Sequence, residues 1–174
     1  WQLGVPGTGP PSSRVILFSA HTGEELAASP YTDGGYSGIA WRPDGKRLAV
    51  ARGSLPLFDL SLNPQPFAAT LDGVLDWSPD AGQLAAGRGG MVTVVDAATG
   101  APLHELEGHA YVDTVQWHPW MPRIASGGRD GMVRIWDSST GQEVCAFPAP
   151  SGIVRDLDWS PDGWRLALST YEGS

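Results

Sequence analysis

The chain reads as all-β, a four-stranded antiparallel unit repeated along its length. Three observations carry that reading. Short apolar runs alternate and end in Gly, Pro or Asp, the punctuation of strands joined by tight turns. No stretch sustains a helical period, and 23 Gly with 15 Pro would interrupt one. Two short phrases recur at a nearly constant spacing, the mark of an internal repeat.

The clearest unit spans 108–141. Val112, Thr114–Val115 and Trp117 alternate as a first strand, and Arg123–Ile124–Ala125–Ser126 forms a second. A Gly-Gly-Arg-Asp-Gly hairpin signal leads into Met132–Val133–Arg134–Ile135–Trp136–Asp137 as a third. The first recurring phrase is Trp-x-Pro-Asp, at Trp41–Arg42–Pro43–Asp44, Trp77–Ser78–Pro79–Asp80 and Trp159–Ser160–Pro161–Asp162, with Trp117–His118–Pro119–Trp120 as a variant. Its Trp positions step by 36, 40 and 42 residues. The second phrase ends a β-rich run at Phe18, Phe58, Val95 and Trp136, mostly followed by a Thr-Gly turn, with steps of 40, 37 and 41. Pro-Asp-Gly turns join the first two strands of a unit, Pro presetting φ and Gly taking positive φ. A period near 40 with four short strands matches the blade of a β-propeller, which buries both faces of its sheet only by stacking on neighbours.

Gly108–His109 near the start of the clearest unit and Trp136–Asp137 near its end resemble the WD-repeat family of propellers. The fold that the resemblance implies is a WD-repeat β-propeller of four-stranded antiparallel blades. At matching positions the family carries a His-Ser-Asp-Trp hydrogen-bonded tetrad, here His109, Ser126, Asp130 and Trp136. Trp donates only, Asp accepts, and His and Ser relay between them. The same three residue types could suggest a hydrolase triad, but Ser126 lies in a strand rather than on a strained nucleophile turn. Other units depart from the pattern. Val50, Ala86 and Leu168 stand at the Ser position, and Phe58, Val95 and Phe18 at the Trp position.

Strand counting gives four blades' worth per chain. Residues 14–26 supply the third and fourth strands of one blade, 27–148 three full blades, and 149–174 the first and second strands of another. Residues 1–13 form a Pro- and Gly-rich arm or loop. The end halves are complementary, which resembles the family's closure device of a blade completed from both termini. Family members usually close with seven or eight blades. The chain therefore reads as half of an eight-bladed ring made by two copies, as a piece of a longer propeller, or as a tight four-bladed monomer. Symmetric closure favours the homo-oligomer, a dimer of half-propellers.

Bulk properties exclude several classes. The formal charge of −8 repels phosphate backbones, and the 11 Lys and Arg are scattered, so nucleic acid is not an expected partner. No apolar run approaches a membrane span and no leader pattern heads the chain, which begins at Trp1. The expectation is a cytoplasmic protein without a membrane partner. The single Cys145 excludes an intrachain disulfide and reads as a small apolar strand residue. His21, His104, His109 and His118 are far apart in the repeat, so no metal site is expected, and no phosphate-binding loop points to a cofactor. Asp44, Asp80, Asp96, Asp137 and Asp162 hold turn positions, where Asp caps its own backbone, so no acid–base pair stands out.

What remains is a surface. The family docks partners on the top face, around the central channel. By position this gives Tyr111, Asp113 and Arg129 in the full unit, Arg155 and Tyr171 in the last, and Ser37 in the first. Aromatic and Arg side chains are the usual interface anchors. Trp120 and Trp164 fall in turns on the opposite face, either packing between blades or offering a second surface. The expected function is a non-catalytic scaffold for protein–protein contact or self-assembly. The alternative, a small-ligand or enzymatic propeller using the channel mouth, requires convergent polar groups there.

Overall fold

The computed structural model describes residues 12–33, 35–51, 57–65, 67, 69 and 71–172. The arm expected over 1–13 lies outside these except for its last two residues, and so does 173–174. The chain begins with β1 (Ser12–Ser13), β2 (Ile16–Phe18), β3 (Glu25–Ala28) and β4 (Thr32–Asp33). β2 and β3 form a two-stranded antiparallel sheet, and β1 pairs with β4. Two expectations change here. Ser12–Ser13 pair instead of lying in a loop, and β3 runs to Ala28 rather than ending at 26. The second change follows from Ser29, which is buried. Its hydroxyl accepts the Val15 N–H at 3.0 Å and its own N–H donates to the Val15 carbonyl at 2.9 Å, so pairing continues past the end of β3 to the residue before β2.

Three four-stranded meanders follow. The first is β5 (Gly38–Trp41), β6 (Leu48–Ala51), β7 (Leu57–Phe58) and β8 (Pro64–Gln65). The second is β9 (Val74–Trp77), β10 (Gln83–Arg88), β11 (Met91–Asp96) and β12 (Pro102–Glu107). The third is β13 (Val112–Trp117), β14 (Arg123–Gly128), β15 (Met132–Asp137) and β16 (Glu143–Pro148). A two-stranded sheet, β17 (Ile153–Trp159) and β18 (Leu166–Tyr171), ends the chain. All pairings are antiparallel, and among the described residues there is no helix.

The hydrophobic interior lies between sheets. Leu48, Val50 and Phe58 pack on Val15, Leu17 and Ala27 of the N-terminal pair. Ala49 and Leu57 point the other way, onto Leu75, Trp77 and Leu84 of the second meander. Ala85, Val92 and Val94 meet Val115, Trp117 and Trp136 of the third. Ala125, Val133 and Ile135 meet Val154 and Leu157 of the last pair. Alternation thus sends successive residues of one strand to successive neighbours. β6 is buried along its whole length, whereas every residue of β16 is exposed. Cys145 lies in that outermost strand and faces solvent, not a packed interior as its apolar setting suggested.

The repeated Trp explains how units join. Trp77 donates its indole N–H to the Ala40 carbonyl of the preceding unit at 3.1 Å, and Trp117 does the same to Asp76 at 3.1 Å. A buried Trp needs such a partner for its single polar atom. The turn after it is tied by Asp. Asp80 accepts from the Ser78 hydroxyl at 2.6 Å and from the Gly82 N–H at 2.9 Å, and these bonds hold its carboxyl below the usual range. Gly45 and Gly163 take φ of 68° and 70° in the matching turns, but the second unit has Ala81 there at 60°, a left-handed conformation that Ala adopts at a cost.

Candidate protein-binding face and its supporting network

The third unit contains one continuous polar chain in a largely apolar interior. His109, just ahead of β13, places Nδ1 at 2.9 Å from the Asp130 carboxylate and Nε2 at 2.8 Å from the Ser126 hydroxyl. Trp136 donates its indole N–H to the same hydroxyl at 2.8 Å. The donor inventory orients every member. Ionised Asp130 accepts only, so Nδ1 carries the proton, Nε2 accepts from Ser126, and Ser126 accepts from Trp136. Ser126 is fully buried and Trp136 nearly so, so each bond replaces one that water cannot supply. Asp130 also accepts the Met132 N–H at 3.3 Å, which fastens the network to the β14–β15 turn. Nothing in this arrangement exposes a nucleophile.

That turn presents Arg129. Its N–H bonds the Tyr111 carbonyl at 2.9 Å, and its guanidinium lies 4.1 Å from the centre of the Tyr111 ring. Its Nε sits 3.4 Å from the Asp113 carboxylate, on β13. On the other side of Asp113 stands Arg155 of β17, its Nη1 at 3.6 Å, with its guanidinium 5.3 Å from the Tyr171 ring centre. Five side chains from two units therefore form one row: Tyr111, Arg129, Asp113, Arg155, Tyr171. Asp113 is largely covered, while both guanidinium groups are about half exposed. Each Arg rests on an aromatic face and shares the one carboxylate, so it is held while N–H donors still face water.

Ser37 is not in this row. Its hydroxyl donates to Asp72 at 2.6 Å and accepts the Gly73 N–H at 3.0 Å, and Asp72 pairs with Arg88 at 2.6 Å. An open cleft lined by Asp72, Arg88, Gly89, Met91, Thr93 and Tyr111 connects this cluster to the row. Sequence reading passed over Asp72 and Arg88. A signal for Arg88 was present, since it stands three residues before Met91 as Arg129 stands three before Met132.

The opposite turns carry a different contact. His118, buried, accepts the N–H groups of Trp120 and Met121 on Nδ1 at 3.0 and 2.9 Å and donates from Nε2 to the Gly163 carbonyl at 3.1 Å. Trp120 donates its indole N–H to the Pro161 carbonyl at 2.9 Å. Both residues join the third unit to the last pair. Trp164, by contrast, is 81% exposed.

One carboxylate near the inner strands is strongly perturbed. Asp76 accepts the Trp117 N–H at 2.6 Å and the Trp77 N–H at 2.9 Å. Burial nevertheless pushes its pKa up to about 6, outweighing those two amides, with the charge of Asp158 adding to the rise. Asp96 and Asp137 are held low instead. Asp96 is held by the Thr99 hydroxyl and nearby backbone amides, and Asp137 first by Arg123 opposite it on β14. Among the described residues no three His, Cys, Asp or Glu side chains are grouped to hold a metal ion. Among the described residues no helix is long and apolar enough to cross a membrane.

Repeated four-stranded meanders joined by an indole-to-carbonyl bond, one of them with a His-Ser-Asp-Trp network, define a WD-type propeller. Residues 100–137, the span that holds all four network residues, match the family model described as WD domain, G-beta repeat. Over that span the chain carries a WD repeat, and it is similar to WD-repeat proteins. It is 26% identical over 182 residues to the Protein LST8 homolog of Drosophila pseudoobscura pseudoobscura, a match covering 98% of this chain and 58% of that protein. It is 30% identical over 167 residues to Cell division cycle 20.1, cofactor of APC complex, of Arabidopsis thaliana, covering 84% and 36% respectively. It is 38% identical over 69 residues to the small ribosomal subunit protein RACK1z of the same plant, covering 39% and 21%. The chain thus spans from about a fifth to just under three fifths of these relatives, all of which are eukaryotic.

Proposed function

We propose that the chain is a non-catalytic scaffold that holds a protein partner on the row Tyr111, Arg129, Asp113, Arg155 and Tyr171. The observation that carries this reading is the shared carboxylate. Asp113 fixes two guanidinium groups whose aromatic supports stand at either end, so the face is organised before anything binds. Fixed Arg donors fit carboxylates, and flanking Tyr rings fit apolar side chains, so the partner is an acidic segment with aromatic or aliphatic residues. The adjoining cleft with Arg88 and Asp72 extends the same face and takes Ser37 into it. Two of the relatives carry names of assemblies, a cofactor of the APC complex and a small ribosomal subunit protein, which supports a role in protein complexes. The charge of −8 disfavours nucleic acid, and the same reading has the chain act in the cytoplasm without a cofactor, metal or membrane. A catalytic channel mouth has less in its favour, because both oxygens of Asp76, the one strongly raised carboxylate among the described residues, already accept backbone amides.

Fluorescence anisotropy with a labelled Glu- and Phe-containing peptide tests this. The double substitution Arg129→Ala, Arg155→Ala should weaken binding at least tenfold, about 1.4 kcal/mol, with the thermal melt unchanged. Equal affinity of the two proteins for the peptide would sink the assignment.

A further inference from the structure

The residue between Trp and Pro in each repeated phrase decides what lies beside the Trp of the next unit. Between the first and second meanders it is Arg42. Its guanidinium stands 5.9 Å from the centre of the Trp77 ring, and its Nη1 donates to Asp44 Oδ2 at 3.0 Å. Between the third meander and the last pair it is His118, whose ring centre lies 4.7 Å from that of Trp159. Between the second and third meanders it is Ser78. Its short side chain stays within its own turn, donating to Asp80 at 2.6 Å and accepting the Gln83 N–H at 2.8 Å. No side chain takes the place of Arg42 or His118 beside Trp117, and a cleft of about 330 Å³ opens there. Trp117, Asp80 and Gln83 line it together with Trp120, Met121 and Ser138. No Lys, Arg or His is among its lining residues. Asp80 stands where Asp44 stands in the first unit. In both, Oδ1 serves the turn, accepting the N–H of Lys46 in one and of Gly82 in the other. Oδ2 of Asp44 holds Arg42, whereas Oδ2 of Asp80 has no donor from another residue.

We propose that this cleft receives the guanidinium group of an Arg side chain carried by a protein partner. The group lies against Trp117 and donates to Asp80 Oδ2, as Arg42 does with Trp77 and Asp44 within the chain. A planar cation that only donates suits both surfaces, since it rests on an indole and bonds a carboxylate. Asp80 offers its charge, because the Ser78 hydroxyl and the Gly82 N–H hold its carboxyl low. Gln83 adds an acceptor. Its Oε1 is buried without a donor, so turning the amide toward the cleft gives up no bond. Trp120 is 74% exposed with its indole tied to the Pro161 carbonyl, and it gives the partner's neighbouring residues a fixed apolar rim. The formal charge of −8 favours a cationic guest over an anionic one. The cleft lies at the turns opposite the row from Tyr111 to Tyr171 and shares no residue with it, so either assignment can fail alone.

Titration of the isotope-labelled 174-residue chain with the peptide acetyl-Gly-Ser-Arg-Ser-Gly-amide, followed by amide NMR, tests this. The Gly82 and Gln83 amides and the Trp117 indole N–H should shift together, while the Arg129 and Arg155 signals stay in place. The same peptide with uncharged citrulline for Arg should bind about fivefold more weakly or worse. That comparison needs no variant. Ser78→Arg supplies the chain's own guanidinium and should abolish the response with the thermal melt kept, because the first unit forms the same turn around Arg42. Asp80→Asn keeps the Oδ1 acceptor and loses the charge, and should weaken binding by about fivefold or more. Equal affinity for the citrulline peptide, an undiminished response in Ser78→Arg, or shifts confined to the Arg129 and Arg155 row would each overturn the assignment. Free arginine bound as tightly as the peptide would overturn it as well, making the guest a small molecule in place of a partner's side chain.

Discussion

The third unit and the first solve the same packing problem by different means. In the third, Ser126 and Trp136 are joined diagonally across neighbouring strands by a hydrogen-bonded network, and β13 to β16 each run six residues. In the first, Val50 and Phe58 fill those positions, and β7 and β8 shrink to two residues each. The apolar version buries its side chains as completely, Val50 being fully enclosed. What it lacks is direction. Four oriented donors and acceptors specify one register, whereas Val and Phe accept several packings of similar energy. The turn after β7 shows the same wear: Leu62 takes a φ of 57° in a tighter Asp59–Leu62 turn, where the third unit has Gly141 at 72°.

The largest contrast is expected at the Trp of the first strand. Trp117→Ala should cost about 3–5 kcal/mol in urea unfolding, as for a large buried aromatic. Trp41→Ala, at a half-exposed site, should cost well under half of that. Equal losses would erase the difference between a covered Trp and a half-exposed one. Next comes Ser126→Ala, which leaves two buried donors and acceptors, His109 Nε2 and Trp136 Nε1–H, without a partner and should cost about 2–4 kcal/mol. Val50→Ala should cost about 1–2 kcal/mol, since it loses methyl groups and strands no polar atom.

A comparable effect should appear with pH. Asp76 binds its proton more tightly folded than unfolded, with pKa raised from 3.8 to about 6. The folded state thus holds more protons across that window, and stability falls as pH rises through it, by up to about 3 kcal/mol, then levels off. Asp76→Asn should flatten the decline, which urea midpoints between pH 4 and 7 would reveal; an unchanged slope would assign it elsewhere. The smallest expected change is a gain. Ala81→Gly relieves a left-handed Ala and should add about 0.5–1 kcal/mol, seen as a raised melting temperature.

How far the sequence spoke depended on the range of the contact. Trp-x-Pro-Asp was legible because its chemistry is local: Pro sets φ, Asp takes the next amides, and the strand restarts. The positions of His109, Ser126, Asp130 and Trp136 were legible through the resemblance alone. Contacts between units were not. Nothing in the order of residues says that Asp113 lies between Arg129 and Arg155, or that His118 reaches Gly163, because both depend on how one sheet is set beside the next. Ser12–Ser13 looked like the end of a loop because two residues carry no period. Asp72 was hidden among loop residues, and its role follows only from Arg88 and Ser37 converging on it.

The bond that joins the three four-stranded units ends on a main-chain carbonyl, and every residue type has one. Ala40 and Asp76 both serve, although their side chains share nothing. A joint with so undemanding a receptor tolerates drift on the receiving side as long as the indole is kept. Copies of such a unit can be duplicated, reordered or exchanged within a gene, and each new neighbour already fits.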